Sequence, residues 1–194
     1  MIKNIDEKIF LLLNGNHTVW GDYVMSTVSN LFFCIPILLL IAFVAGKYFN
    51  AGSVDHPYAN TFLLVFVLVL EFLFCRFMLP GFFAQIFQME RPCLNPNISS
   101  MVRMVGVECT DADHFAGRPC VMFFITSFLF FTIKKEFQFL KWLLVIWSVL
   151  VAYSRIYLGA HYPVNVFIAV SIGFFLGYFG SRFYFYLKNS FFAL

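Results

Sequence analysis

The sequence contains few charged residues. Asp, Glu, Lys and Arg make up 12% of its 194 residues, about half their share in an average soluble domain, so they cannot cover the surface of a water-soluble protein of this length. A disordered chain is excluded too, because 61% of the residues are hydrophobic. The net charge of +3 includes no basic cluster of the kind that binds nucleic acid. The composition therefore predicts a membrane protein.

Apolar segments that approach the ~20 residues needed to cross a bilayer predict the membrane spans. They lie at 31–45, 61–79, 120–133, 142–153 and 164–178. This pattern predicts an all-α polytopic bundle of five spans, or six if the N-terminus also inserts, in a single domain covering 1–194. No cleavable signal peptide is expected, because the first span begins late and lacks a small-residue cleavage site.

The N-terminal segment 1–20 is predicted to lie at the membrane interface. Within it, residues 5–13 have the apolar pattern of a short amphipathic helix. A poorly ordered tail is the alternative interpretation.

The segment 82–118 is a long polar loop, and loops of this length are usually functional or disordered. Alternating spans place it on the same side as the turn at 154–162. The opposite side carries the basic residues Lys47, Lys134, Lys135, Arg182 and Lys188. The positive-inside rule makes that opposite side cytoplasmic. The loop is therefore predicted to lie on the outer side of the membrane.

Two cysteines, Cys93 and Cys109, lie within this loop. Outside the cytoplasm they could form a disulfide, which the chain-entropy account values at roughly 3 kcal/mol. Two free thiols are the alternative.

Three polar clusters stand at span ends on the predicted outer side: 90–93, 113–118 and 154–165. Each contributes an arginine, whose planar, permanently charged guanidinium binds phosphate in a bidentate manner. Together with His161 they predict a site for a phosphate or a phospholipid headgroup. His161 and Asn165 are four residues apart, so the amide oxygen could accept a hydrogen bond from the ring and fix its tautomer. Taken alone, His161 fits an interfacial histidine bonded to backbone.

The stretch SRIYLGAHYPVN at 154–165 resembles the third signature of the type 2 phosphatidic acid phosphatase family, S-R-x-x-x-x-x-H-x-x-x-D. RPC at 91–93 resembles the end of the first signature, K-x-x-x-x-x-x-R-P, and FAGR at 115–118 falls where the second, P-S-G-H, is expected. The resemblance covers about 60 to 185 and is closest to small bacterial members, many of which act on undecaprenyl diphosphate or phosphatidylglycerol phosphate.

The resemblance implies a helical membrane phosphatase that needs no metal or other cofactor. It also implies a bacterial inner membrane, with the site facing the periplasm or exterior. In such an enzyme His161 would attack phosphorus and residue 165 would orient it. The second-signature residue would protonate the leaving oxygen. The residues that would bind the phosphate are Arg91, Gly117, Arg118, Ser154 and Arg155.

The sequence departs from these signatures at Ala84 in place of Lys, at Ala116 and Arg118 in place of Ser and His, and at Asn165 in place of Asp. Arginine does not deprotonate in proteins, and loss of a general acid typically slows a reaction about 10²–10⁴-fold. An Asp-to-Asn change beside a catalytic histidine has an effect of about 10⁴ in a serine protease. These departures favour a pseudoenzyme that binds a phosphorylated membrane lipid with little or no hydrolysis.

Two alternatives remain at this stage. One is an active phosphatase with His161 as nucleophile and His114 as the replacement acid. The other is a lipid transporter or scaffold, in which the arginines would not matter for binding. A metal site at Asp111, Asp113 and His114 is disfavoured, because acidic residues in a loop are more often solvated. The sequence identifies no protein partner.

Overall fold

The computed structural model describes residues 2–30, 57–79, 81–82, 90–107, 109, 115–133 and 135–192. All regular structure in these ranges is helical, as the sequence predicts. The α-helices are α1 (Ile2–Gly15), α2 (Val19–Val28), α3 (Pro57–Leu73), α4 (Gly117–Thr132), α5 (Gln138–Tyr157) and α6 (Pro163–Phe192). Shorter elements are the π-helical segment Phe74–Met78 and 3₁₀ turns at Pro92–Leu94, Ser99–Met101 and Lys135–Phe137.

Four of the predicted spans fall on these helices. The span at 61–79 covers α3 and the π-helical segment, and the three later spans lie on α4, α5 and α6. By length and composition, Lys135–Tyr157 and Pro163–Ser190 can cross a bilayer, whereas the apolar parts of α3 and α4 are shorter. The span at 31–45 lies outside the described residues. The number of crossings therefore stays a prediction.

The centre of the bundle is the contact between α4 and α6. Gly173 and Gly177 stand one helical turn apart on α6, against α4 backbone. A Cβ at Gly173 would overlap the Cys120 carbonyl, and one at Gly177 would overlap the Phe124 carbonyl. Small residues at this spacing let two helices approach closely in a membrane, where packing replaces the hydrophobic effect as the driving force. Around this contact, Phe124 is fully buried within an aromatic core.

The order of the last three helices brings their motif-bearing ends together. α4 begins at Gly117, α5 runs back and ends at Tyr157, and α6 begins at Pro163. Because consecutive packed helices alternate in direction, the start of α4, the end of α5 and the start of α6 lie at one end of the bundle. This end is called the site end below.

The N-terminal helices pack on the site end. Asn14 of α1 is fully buried, and its side-chain amide donates to the backbone carbonyls of Arg103 (2.9 Å) and Tyr157 (2.8 Å). The helix predicted over 5–13 is longer in the structure, Ile2–Gly15. One side of it packs against the rest of the protein, and its other side carries exposed apolar residues. Its place relative to a membrane stays a prediction. Helix α2 was not expected from the sequence.

The described part of the polar loop contains a disulfide between Cys93 and Cys109. Gly159, in the turn after α5, has φ +80°, and a Cβ there would lie 2.5 Å from the Arg103 carbonyl oxygen. The Val105 amide in turn donates to the Leu158 carbonyl at 3.4 Å. The disulfide-closed loop is thus held directly against the turn that precedes His161.

Candidate functional site

His161 is held by the turn that ends α5. The chain leaves the helix through Gly159, whose left-handed conformation is typical of helix C-termini. The backbone amides of Ala160 and His161 then donate to the Arg155 carbonyl, at 2.9 and 3.2 Å. These two hydrogen bonds tie the histidine backbone to the last turn of α5, so His161 and Arg155 are held next to each other.

The imidazole of His161 is almost completely buried, with 4% of the residue exposed. Burial lowers its pKa well below 6.5, and the positive charges of Arg155, Arg91 and Arg118 lower it further. Each cause disfavours the imidazolium, so the ring is neutral at pH 7. A neutral imidazole is the nucleophilic form of histidine.

Arg118 and Arg155 meet at Ser29, the residue that caps the C-terminal end of α2. Nη1 of Arg155 donates to the Ser29 hydroxyl at 2.6 Å. Nη1 of Arg118 donates to the Ser29 carbonyl at 3.0 Å and to its hydroxyl at 3.3 Å. Arg155 is buried and Arg118 is exposed. The pair therefore brings one inner and one outer cation to a single point beside His161.

Arg91 enters the site from the loop, at the start of the 3₁₀ turn Pro92–Leu94, and is buried. The following residue of that segment, Asn95, is buried and donates through its amide to Tyr162 (3.0 Å) and to Glu7 of α1 (2.8 Å). Asn95 thus connects the loop both to Tyr162, the residue that follows His161, and to the N-terminal helix α1.

The start of α6 carries Asn165, which is buried one turn after His161. Asp6 of α1 accepts the Val164 backbone N–H at 3.1 Å, which satisfies one of the free amides at this helix end. Nδ1 of His161 is buried and has no hydrogen-bond partner in the described part of the chain. Support of the ring by Asn165 is therefore not made through this nitrogen. A neutral amide lacks the charge with which a carboxylate would attract the ring N–H.

The remaining predicted residues divide into two groups. Ser154 is fully buried, and its hydroxyl donates within α5 to the Val151 carbonyl (2.7 Å), while Gly117 begins α4. Ala84, Asp111, Asp113 and His114 lie outside the described residues. Within the ranges that are described, no three His, Cys, Asp or Glu side chains assemble as metal ligands.

Sequence reasoning missed the contribution of the first 30 residues. Ser29 lies 89 residues from Arg118 and 126 from Arg155, and Asp6 lies 158 residues from Val164. No local spacing links positions so far apart. A serine before the apolar segment at 31–45 was the available signal, and a serine there is equally typical of an ordinary helix end.

Comparisons with known proteins identify the family of this chain and its relatives. The PAP2 superfamily matches residues 60–189. Lipid A 4'-phosphatase of Porphyromonas gingivalis is 26% identical over 191 residues, which are 97% of this chain and 76% of that protein. Lipid A 4'-phosphatase of Bacteroides thetaiotaomicron is 26% identical over 186 residues, or 95% of this chain and 77% of that protein.

Two solved structures share the fold. The crystal structure of Aquifex aeolicus LpxE superposes with a TM-score of 0.62 at 22% identity, covering 90% of this chain and 93% of that one. A transmembrane PAP2 type phosphatidylglycerolphosphate phosphatase from Bacillus subtilis gives a TM-score of 0.60 at 20% identity, covering 98% and 87%. At these identities the two structures establish the common fold alone.

Proposed function

This chain belongs to the PAP2 superfamily, and we propose that it binds the phosphate of a phosphorylated membrane lipid with little or no hydrolysis. The observation that carries the proposal is the meeting of Arg118 and Arg155 at Ser29, beside a neutral His161. The cations of a phosphate site are present there, while the position of the family's acid is occupied by one of those cations.

Phosphate binding is supported by charge and burial. Arg91 and Arg155 are 5% and 6% exposed, and the attraction of a guanidinium for an anion is stronger in a buried site than in water. An incoming phosphate supplies two charges and several acceptor oxygens, and guanidinium forks match its geometry. Arg118, at the exposed side, adds the charge that Ala84 lacks relative to the family signature.

Weak hydrolysis follows from the groups that would have to move protons. Departure of the lipid oxygen from phosphorus needs a proton donor, and Arg118 does not release a proton at any physiological pH. Formation of a phosphohistidine would make His161 cationic, close to three arginines. Asn165 offers no negative charge to stabilise that cation. Binding and turnover are thus separable in this site.

The ligand class is proposed from the relatives. Both curated relatives are lipid A 4'-phosphatases, so a lipid A carrying a phosphate on its sugar is the first ligand to test. The disulfide at the site end supports an oxidising compartment. We therefore place the site on the periplasmic or outer face of a bacterial inner membrane, with the segment 82–118 as part of it.

An active phosphatase is the second candidate, favoured by the state of His161. In this reaction a ring nitrogen would bond to phosphorus, the bond from phosphorus to the lipid oxygen would break, and water would then release phosphate. A buried neutral imidazole is ready for the first step. The proton for the lipid oxygen would come from His114.

The experiment uses the full chain in detergent micelles, with lipid A that carries or lacks the 4'-phosphate. We expect tighter binding of the phosphorylated lipid, weakened on the order of 10–100-fold in Arg155→Ala, as for hydrogen bonds to charged groups. Arg182→Ala is the matched control, because Arg182 is exposed toward the other end of α6. Equal binding of both lipids, unaffected by Arg155→Ala, would instead point to a transporter or scaffold.

Phosphate release from the same lipid separates the two candidates. We expect the wild type to release no phosphate above background. The double variant Arg118→His with Asn165→Asp restores a proton donor and a negative charge, and we expect its rate of phosphate release to be about 100-fold or more above that background. Release by the wild type that disappears in His161→Ala would overturn the binding-only proposal and establish the phosphatase.

A further inference from the structure

Ser29 occupies an unusual place for a helix cap. It is buried, follows the last residue of α2, and its backbone N–H donates to the Met25 carbonyl at 2.9 Å. It also lies outside residues 60–189, the part of the chain that matches the PAP2 superfamily. The family signatures therefore do not include it, although it contacts two residues at signature positions.

The hydroxyl of Ser29 can still donate one hydrogen bond. A serine hydroxyl has two lone pairs and one proton to donate. Arg155 and Arg118 each donate an N–H to this oxygen, at 2.6 and 3.3 Å, and together they occupy its lone pairs. The described residues offer no acceptor for its proton. Within the part of the chain that the structure describes, the O–H is therefore available at the point where two guanidinium groups converge.

Helix α2 is fixed firmly enough to define this point. At its N-terminal end, Asp22 forms an ion pair with Arg103 and accepts a hydrogen bond from the Tyr157 hydroxyl at 3.0 Å. A Cβ at Gly21 would lie 2.5 Å from that hydroxyl, so α2 rests directly on the end of α5. Val28 then packs with Met122 and Val151 in a small apolar cluster. Both ends of α2 are thus anchored to the helices that carry the arginines.

We propose that the Ser29 hydroxyl is a ligand of the bound phosphate, donating its proton to a phosphate oxygen while its lone pairs hold Arg118 and Arg155. This inference rests on the proposed function. It assigns to α2 a direct part in recognising the phosphate group, whether that group belongs to a lipid or is free inorganic phosphate. The ligand's oxygens would then meet two cations and one neutral donor from a single direction.

Ser29→Ala tests the proposal, with Ser29→Thr as the variant that keeps a hydroxyl. We expect Ser29→Ala to bind lipid A with a 4'-phosphate about tenfold more weakly, the effect of losing one hydrogen bond to a charged group. Binding of the lipid lacking that phosphate should not change, and Ser29→Thr should stay within about threefold of the wild type. Ser26→Ala is the control, because the Ser26 hydroxyl donates within α2 to the Tyr23 carbonyl.

Inorganic phosphate, used as a competitor, distinguishes the two ligand sources. If Ser29 binds phosphate itself, Ser29→Ala weakens competition by inorganic phosphate in the same proportion as it weakens lipid binding. A loss confined to the lipid, or an equal loss for phosphorylated and dephosphorylated lipid, would show a packing role and overturn the proposal.

The two proposals fail in different ways. Wild-type affinity in Ser29→Ala, with weakened binding in Arg155→Ala, would overturn the role of Ser29 and leave the proposed function intact. Equal affinity of the wild type for both lipids would overturn the proposed function and the role of Ser29 with it. The unfolding temperature of each variant in detergent shows that a loss of binding is not a loss of fold.

Discussion

The two halves of this bundle are built in different ways. In the apolar half, α4 and α6 touch through backbone and small residues, with Gly173 and Gly177 against the carbonyls of Cys120 and Phe124. At the site end, polar side chains from α1, α2 and the disulfide loop join helix ends that are distant in sequence. The apolar half tolerates little change in shape, whereas the site end depends on charges and hydrogen bonds that can be exchanged singly.

The largest effect is expected from Gly173→Ala. The added methyl would overlap the Cys120 carbonyl, and a backbone atom cannot move aside as a flexible side chain can. We expect α4 and α6 to separate, with a loss of about 4 kcal/mol, near the upper limit for single substitutions. Thermal unfolding in detergent measures it.

Gly15→Ala is the control for this prediction, because no atom lies within 4 Å of a Cβ at that position. It should cause no loss of stability. A Gly173→Ala protein as stable as the wild type would mean that the apolar half is more adaptable than its close helix contact implies.

Removal of the disulfide should have the next largest effect. Cys93 and Cys109 are 16 residues apart, and closing a loop of that size is worth about 3 kcal/mol in the chain-entropy account. We expect Cys93→Ser with Cys109→Ser to lower the unfolding temperature and to weaken phosphate binding, because Arg91 enters the site from this loop. The same double variant should be insensitive to reductant, unlike the wild type. Unchanged phosphate binding would show that the loop reaches its place without the bridge.

Gly159→Ala perturbs the contact between the loop and the turn before His161. A residue other than glycine is strained at φ +80°, and its Cβ would lie 2.5 Å from the Arg103 carbonyl oxygen. We expect a loss of about 2 kcal/mol. Gly106→Ala introduces the backbone strain without the close contact, because φ is +60° there and no atom lies within 4 Å of an added Cβ. We therefore expect it to lower the free energy of unfolding by about 1 kcal/mol.

The ratio between these two variants is the informative quantity, measured by chemical or thermal unfolding in detergent. Equal losses would show that the loop moves away from the turn without difficulty. A larger loss in Gly159→Ala, accompanied by weaker phosphate binding, would show that the turn and the loop position His161 together.

The same contrast explains what could be predicted from the sequence. Apolar segments are long and local, so the positions of the later helices and the all-α class follow from hydropathy. Arg155 and His161 share one turn of chain, so their proximity follows from spacing alone. Ser29, Asp6 and Asn14 reach the site across 89 to 158 residues. Their partners are backbone carbonyls, amides and side chains whose positions exist only after the helices have packed.

The ion pair between Asp22 of α2 and Arg103, which is half-buried at the protein surface, should give the smallest effect and a distinctive pH dependence. The hydrogen bond from Arg103 is the main cause that lowers the pKa of Asp22 below its ordinary value of 3.8, with a further bond from Tyr157. A carboxylate with a lowered folded pKa stabilises the fold above the unfolded pKa, and this contribution disappears as the pH falls through the folded pKa.

We therefore expect Asp22→Asn to unfold at a slightly lower temperature than the wild type at pH 7, because a surface ion pair contributes little. The difference should begin to narrow below about pH 4, the ordinary pKa of an aspartate in the unfolded chain, and should disappear as the pH falls through the lowered folded pKa. Glu136→Gln, an exposed change away from the site end, controls for net charge. A gap as wide at pH 3 as at pH 7 would mean that Asp22 acts by shape rather than by charge. Helix α2 would then be held on α5 mainly by the close contact of Gly21 with the Tyr157 hydroxyl.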